Sequence, residues 1–191
     1  MWKPLTLTLT GVAPLLMHNG QLADPLSPFS KAMKEVAGRR LKSDADHEEL
    51  ARLEFLGGLW VNDEKQPCIP SEAMEACLVG GARKSKEGKA AVAALLIEEH
   101  LALGFEGPET PEELWADEQF RLRVPARVGQ ARVMRTRPIF RHWSAIAVVQ
   151  FNSDLINASQ VQKWVRVSGD QVGLGDWRPK FGRFSVEVTQ S

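Results

Sequence analysis

The chain has 191 residues, 43% of them hydrophobic, and a formal net charge of zero at pH 7. This length suits one domain with a packed core, and no apolar run is long enough to span a membrane. The N-terminus has no secretory signal pattern, so we expect a cytoplasmic protein in which the two cysteines, Cys68 and Cys77, are reduced and buried.

The first half of the chain predicts one strand and several helices. Residues 5–12, LTLTLTGV, alternate with a period of two, as a half-buried strand does. After a loop rich in turn residues, amphipathic helices are predicted over 29–39 and 44–56. A small hairpin is predicted around 62–65, and Ser71 is expected to cap the helix that follows it.

The second half predicts alternating strands and short helices. Its elements are a strand near 95–105, a short helix within 110–117, a strand within 119–128, a buried strand over 143–151, a helix over 158–168 and a last strand over 183–189. Together with the first strand and the Ser71 helix, this order approaches βαββαβ. We therefore predict an α+β, ferredoxin-like (RRM-like) core with a helical insertion after the first strand. The free face of such a sheet is a common RNA platform.

A glycine-rich loop precedes the last strand, in GLGDWRPKFGRFSVEV, residues 173–188. Its glycines permit positive φ and close approach to a ligand, and successive N–H groups in such a loop can form an anion-binding nest. Its cations suit phosphate, and its rings suit base stacking. An equally open alternative is a structural turn with Trp177 in the core. The candidate nucleic-acid-binding residues of this loop are Gly173, Gly175, Trp177, Arg178, Lys180, Phe181 and Arg183.

Charge is unevenly distributed along the chain. Residues 1–117 carry 12 Lys+Arg and 19 Asp+Glu, whereas residues 118–191 carry 12 and 5. Six arginines lie within 123–143, which ends in Phe140, His142 and Trp143. Interleaved basic and aromatic residues suit single-stranded nucleic acid, although a strand pair with an arginine-rich solvent face is the alternative. The candidates in this stretch are Arg132, Arg135, Arg137 and Arg141.

Three segments of the sequence share features with one known family. They are MHNGQLADPLS after the first strand, PCIPSEAMEACLVGGARKS at 67–85, and the glycine-rich loop. All three resemble the RAMP superfamily, the RNA-binding backbone proteins of CRISPR effector complexes. In the second segment, Ile69, Pro70 and Ser71 stand in register with the family pattern, whereas its second glycine is missing and Glu75 stands near its usual lysine. The resemblance covers about half of the chain and extends to phage or stand-alone relatives.

This resemblance implies a single RAMP-like domain over 1–191, with residues 24–66 as an inserted finger or thumb-like subdomain that folds over a guide RNA. It implies that Ser71 contacts a phosphate, aided by the helix dipole, and that Arg83, Lys84 and Lys86 meet the RNA backbone. A plain capping role is the alternative for Ser71. The implied partners are a single-stranded, crRNA-like RNA, further copies of the chain in a head-to-tail oligomer or filament, and other CRISPR-type subunits in antiviral defence.

The sequence gives little support to catalysis. The four histidines have no metal-ligand spacing, and no cofactor or resident metal is expected. The family resemblance suggests one catalytic candidate, Asp24, because an acidic residue in this loop supports metal-dependent RNA cleavage in type III backbone subunits. A turn residue before Pro25 is the alternative. Two other functions stay open, a single-stranded DNA-binding or annealing protein and a pure assembly protein whose arginines pair with acidic neighbours.

Overall fold

The computed structural model describes residues 1–189, apart from the side chain of Val128. The strands are β1 (Trp2–Gly11), β2 (Leu15–Leu16), β3 (Cys68–Ile69), β4 (Leu95–Leu96), β5 (Leu101–Gly104), β6 (Arg121–Val128), β7 (Ala131–Phe140), β8 (Ser144–Asn152) and β9 (Phe184–Thr189). The helices are α1 (Pro28–Ala37), α2 (Asp44–Gly58), α3 (Ser71–Lys84), α4 (Gly88–Ala94), α5 (Pro111–Ala116) and α6 (Ala158–Val167). Short turns of 3₁₀ or π helix cover Gly20–Ala23, Glu118–Phe120 and Ser168–Val172.

The chain divides into two compact units. The first contains Met1–Leu16, Pro67–Glu106 and the chain from Phe140 onward, and the second contains Met17–Gln66 and Gly107–Ile139. Both units therefore take residues from the acidic and from the basic half of the sequence. The charge asymmetry along the chain does not correspond to an acidic unit and a basic unit.

The first unit has the predicted ferredoxin-like, α+β arrangement. Its sheet has the strand order β3-β5-β8-β1-β9, with β4 also paired to β8, and all of these pairs are antiparallel. Helix α3 follows β1, and α6 connects β8 to β9, so the core of the unit is a βαββαβ fold. The predicted fold class is confirmed.

Alternation along the central strands separates a covered face of this sheet from an open one. In β1, Leu5, Leu7 and Leu9 are buried, and in β8 the buried residues alternate in the same way. The other face places Thr6 opposite Val148. The prediction that 143–151 is a buried strand is therefore wrong in part, because only every second residue of β8 is buried.

The second unit combines the helices α1, α2 and α5 with a β6–β7 hairpin. The predicted helices over 29–39 and 44–56 correspond to α1 and α2. Ser43 and Asp46 form a capping box at the start of α2, which satisfies the helix's first amides. In the hairpin, Arg127 lies opposite Arg132, and Gly129 turns the chain with a φ of 60°. The arginine-rich stretch is thus a strand pair.

The length and hydropathy of the helices show whether any of them could cross a membrane. Throughout residues 1–189, each helix is either too short or too polar to cross a lipid bilayer.

Candidate nucleic-acid interface

The glycine-rich loop is fastened to the first unit by its own backbone. The Gly182 N–H donates to the Pro14 carbonyl at 2.8 Å, and the Leu174 N–H donates to the Gly182 carbonyl at 2.9 Å. The Asp176 N–H donates to the carbonyl of Leu16 at 2.7 Å. These amides bind protein carbonyls, so they do not form the anion-binding nest that the sequence suggested.

The loop glycines are required by close backbone packing. Gly173, Gly175 and Gly182 have φ angles of 76°, 78° and 71°, a region that favours glycine. A Cβ atom at Gly182 would overlap the carbonyl of Leu174, and one at Gly175 would overlap the carbonyl of Leu16. The glycines therefore let the loop lie against its neighbours.

The tip of the loop, which we define as residues 177–181, exposes four of its five side chains to solvent, and Phe181 is half-buried. Trp177 is 37% exposed, so it is not a core residue. Its ring centroid lies 6.0 Å from that of Phe181, and the Lys180 Nζ lies 5.7 Å from the Phe181 ring centroid. Arg178 is exposed. The tip thus combines two rings with two cations on an anchored loop.

Arg183 continues this positive surface beyond the tip. Its side chain is exposed, while its carbonyl accepts the N–H groups of Val12 and Ala13 at 2.8 and 3.1 Å. The backbone at Arg183 is therefore fixed, and the guanidinium is available for an anionic ligand.

Both cysteines are free and buried, as predicted. Burial raises the pKa of the Cys68 thiol to about 11 and that of the Cys77 thiol to about 12, although the Arg178 charge partly opposes the second shift. Burial therefore favours the neutral thiol form of both cysteines near neutral pH.

The N-terminal end of α3 differs from the prediction. Pro70, rather than Ser71, occupies the N-cap position, so the predicted capping role of Ser71 is wrong. Ser71 is only 6% exposed, and its N–H donates to the Nδ1 atom of His100 at 3.2 Å. The Ser71 hydroxyl lies 3.4 Å from the same nitrogen. Little of Ser71 is therefore open to a ligand.

The C-terminal end of α3 forms a second cationic surface, which we call the basic turn. It consists of Arg83, Lys84, Lys86 and Lys89, all of which are exposed. Lys89 was not among the sequence candidates, although the spacing of the four cations over seven residues signals a cluster. Three of the four line a groove of about 440 Å³. Cations at a helix C-terminus also stabilise the helix dipole.

Glu87 holds the basic turn against α6. Its carboxylate accepts the indole N–H of Trp164 at 2.8 Å and an amide hydrogen of Gln160 at 3.1 Å. These hydrogen bonds lower the pKa of Glu87 below its ordinary value of 4.5, that of Trp164 having the largest effect. The backbone of the turn is closed by the Glu87 N–H, which donates to the Ala82 carbonyl at 3.0 Å.

The hairpin arginines differ in what they contact. Arg137 is 8% exposed and pairs with Glu54 at 3.0 Å, and Arg135 pairs with the same carboxylate at 3.2 Å. The Thr136 N–H donates to the second Glu54 oxygen at 2.9 Å. These two arginines join β7 to α2 and offer little to RNA, whereas Arg132 is exposed.

Sequence reasoning missed Glu54, although a signal was present. It is a single carboxylate in the apolar run LEFLGG near the end of α2, where it is 6% exposed. A buried acid in such a run needs a cationic partner nearby. Arg141, the last candidate of the stretch, is exposed next to the end of β7.

The open face of the sheet lacks the features of an RNA platform at its centre. Ile146 and Val148 are 62% and 49% exposed there, beside the threonines of β1. The charged residue that β9 adds to this face is Glu187, opposite Thr8. The loop and the basic turn, rather than the centre of this sheet face, therefore carry clusters of exposed cations.

Asp24 occupies a turn. Its Oδ1 atom accepts the N–H of Leu26 at 2.9 Å, and its own N–H donates to the carbonyl of Gln21 at 3.1 Å. The described part of the chain contains no cluster of three or more His, Cys, Asp or Glu side chains able to hold a metal ion. The bond from the Leu26 N–H to the Asp24 carboxylate is that of an Asx-type turn.

Comparison with known proteins shows similarity in fold but not in sequence. No protein-family model and no curated protein matches the sequence. A similar solved structure is a chain in the cryo-EM structure of the Type III-B Cmr-beta bound to cognate target RNA. The match has a TM-score of 0.53 and 10% identity, and it covers 99% of this chain but 61% of that one. This chain therefore spans about three-fifths of the length of that neighbour and shares its fold.

Proposed function

We propose that this chain is a RAMP-like, RNA-binding subunit of the CRISPR effector type, and that the tip of its glycine-rich loop binds single-stranded RNA. The observation that carries the proposal is the construction of this loop. Its backbone is fixed by hydrogen bonds to Pro14 and Leu16, while Trp177, Arg178 and Lys180 face solvent. The fold similarity to a chain from an RNA-bound assembly supports it.

Each part of the tip has a distinct role in this proposal. Arg178, Lys180 and Arg183 bind phosphates, and Trp177 or Phe181 stacks on a base, which contributes roughly 1–3 kcal/mol. The fixed backbone reduces the conformational entropy that the loop loses on binding. Because phosphate contacts dominate, the affinity tolerates changes of RNA sequence.

The basic turn extends the phosphate contacts along the RNA. Arg83 and Lys84, with Lys86 and Lys89, present four cations on a turn that Glu87 holds in place. We assign the RNA contact of α3 to its C-terminal end rather than to Ser71 at its N-terminal end, because Ser71 is buried against His100.

The finer proposal is that copies of the chain coat a guide-type RNA and assemble along it, with residues 24–66 acting as a finger-like element. An open head-to-tail contact would give an oligomer whose length follows that of the RNA. Other CRISPR-type subunits are the proposed protein partners.

Binding titrations at several salt concentrations test this function. Labelled oligouridine and oligothymidine of equal length serve as the ligands. The affinity for RNA should fall with salt, with a log–log slope of about −0.7 per phosphate neutralised. Equal affinity for the DNA would favour the single-stranded DNA-binding alternative, and no binding at low salt would favour a pure assembly protein. Sedimentation with long RNA tests the oligomer.

A further inference from the structure

The second unit contains a cleft that RNA binding by the loop does not use. It lies between the helices α1 and α2 on one side and the β6–β7 hairpin on the other, and its volume is about 640 Å³. This is within the range of pockets that bind ligands.

The buried contacts of Glu54 connect the two walls of the cleft. Glu54 near the end of α2 accepts the N–H of Thr136 in β7 at 2.9 Å and pairs with Arg135 and Arg137. These bonds fix the hairpin to the helix. The two walls are therefore in position before a ligand arrives, which lowers the entropic cost of binding.

Cations lie on both walls of the cleft. Lys34 and Lys42 belong to the helical side, and Arg123 and Arg132 belong to the hairpin. All four are exposed, and none of them makes an ion pair with any residue that the structure describes. The carboxylate that lines the cleft is that of Glu54, which two arginines already neutralise. The cleft thus favours a ligand with more than one negative charge.

The surface between these cations is apolar. Met33 and Leu50 contribute to it from the helices, and Val133 and Met134, 38% and 46% exposed, contribute from the hairpin. Methionine side chains adapt to apolar partners of varied shape. Neither phenylalanine nor tryptophan is among the described residues that line the cleft, so it lacks the aromatic stacking faces typical of single-strand RNA sites.

We propose that this cleft binds an acidic, amphipathic segment of a protein partner. The partner's carboxylates pair with the cations of the two walls, and its apolar side chains contact Met33, Leu50 and Met134. This assignment gives Arg132 a protein ligand in place of the RNA contact that the sequence predicts for it. It does not depend on RNA binding by the loop.

A designed peptide tests the proposal. The probe is a fluorescein-labelled peptide of about 20 residues, long enough to form a helix, with glutamates on one face and leucines on the other. Its affinity for the whole chain is measured by fluorescence anisotropy. The Lys34→Ala, Arg132→Ala double variant should bind it roughly tenfold more weakly. The matched control is Lys31→Ala with Arg40→Ala, which removes an exposed lysine and an exposed arginine of the same unit outside the cleft.

A single variant tests the apolar contribution independently of the charges. Met134→Ala should weaken binding of the amphipathic peptide and leave the weaker binding of polyglutamate unchanged. Because Met134 is partly exposed, this variant is expected to fold even if the double variant does not.

Three results would overturn the proposal. One is that the amphipathic peptide does not bind, or binds the double variant as well as the control. Another is that polyglutamate binds as tightly as the amphipathic peptide. The third is that the double variant loses oligouridine affinity, which would assign the cleft to RNA. Normal oligouridine binding with loss of peptide binding supports the proposal.

Discussion

The Gly182 N–H donates to the Pro14 carbonyl at 2.8 Å, and this bond connects the glycine-rich loop to the segment between β1 and β2. The same glycine has a φ of 71° and lies so close to Leu174 that no Cβ atom fits between them. The position of the loop tip therefore depends on a backbone contact that only glycine permits.

Gly182→Ala should lower the free energy of unfolding by about 3 kcal/mol, because it combines left-handed strain with a steric clash. Gly129→Ala is the matched control, since Gly129 also has positive φ but no atom lies near its Cβ position. The control should lose only about 1–2 kcal/mol. Urea unfolding measures both. Equal losses would mean that the close approach at Gly182 contributes nothing.

Glu54→Gln should destabilise the chain strongly. It removes the buried negative charge that Arg135 and Arg137 share. Breaking a buried ion pair in this way costs about 3 kcal/mol or more. Glu49→Gln, in the same helix, breaks an exposed pair with Arg52 and should cost about 1 kcal/mol or less. Comparable unfolding midpoints for the two variants would contradict the structural role of Glu54.

The elements of the fold were predictable where periodicity or capping signals are strong. The alternation of residues 5–12 gave β1, and α5 begins after Thr110, whose side chain accepts the Glu113 N–H as a capping residue does. The other features, such as the start of α3, depend on contacts between residues that are distant in sequence. The hydroxyl of Ser71 is directed to His100, which lies 29 residues away in sequence, and no local pattern indicates this contact.

The candidate site was predictable in its residue types but not in their roles. Glycines and cations of the loop were identified, but the amides of Leu174 and Asp176 bind protein carbonyls, which only the folded backbone determines. Likewise, the spacing of the arginines in β7 does not separate Arg137, which is buried on Glu54, from the exposed Arg132. The long-range partner of each side chain decides which of them can meet a ligand.

Glu87 should make stability depend on pH in the acidic range. Its folded-state pKa lies below the ordinary 4.5, chiefly because Trp164 donates to it, so the stabilisation is fully present above that value. The stabilisation is lost as the pH falls through the lowered pKa, because protonation removes the charge that the hydrogen bonds favour.

The difference in stability between the wild-type chain and Glu87→Gln should therefore be largest near neutral pH and should shrink below about pH 4.5. Urea midpoints measured from neutral to acidic pH check this. Glu72→Gln is the matched control and is measured over the same pH range. It removes an exposed carboxylate of α3, so it shows how much of the effect comes from losing any surface carboxylate. A difference that stays constant across the range would rule out the charge of Glu87 as its cause.

The two ends of α3 should differ in their effect on RNA binding. Arg83→Ala with Lys84→Ala removes two exposed cations of the basic turn and should weaken oligouridine binding about tenfold, with a shallower salt dependence. Ser71→Ala should leave the affinity almost unchanged, because Ser71 is buried. If Ser71→Ala loses oligouridine binding at an unchanged melting temperature, the N-terminal end of α3 contacts the RNA.

The oligouridine affinity of Arg178→Ala with Lys180→Ala tests the central claim most directly. The matched control is Lys31→Ala with Arg40→Ala, which removes the same residue types from exposed positions in the second unit. We expect the loop variant to bind at least roughly tenfold more weakly than the control, with a reduced salt slope, while both melt like the wild-type chain. Wild-type affinity in a folded loop variant would contradict the proposed RNA interface.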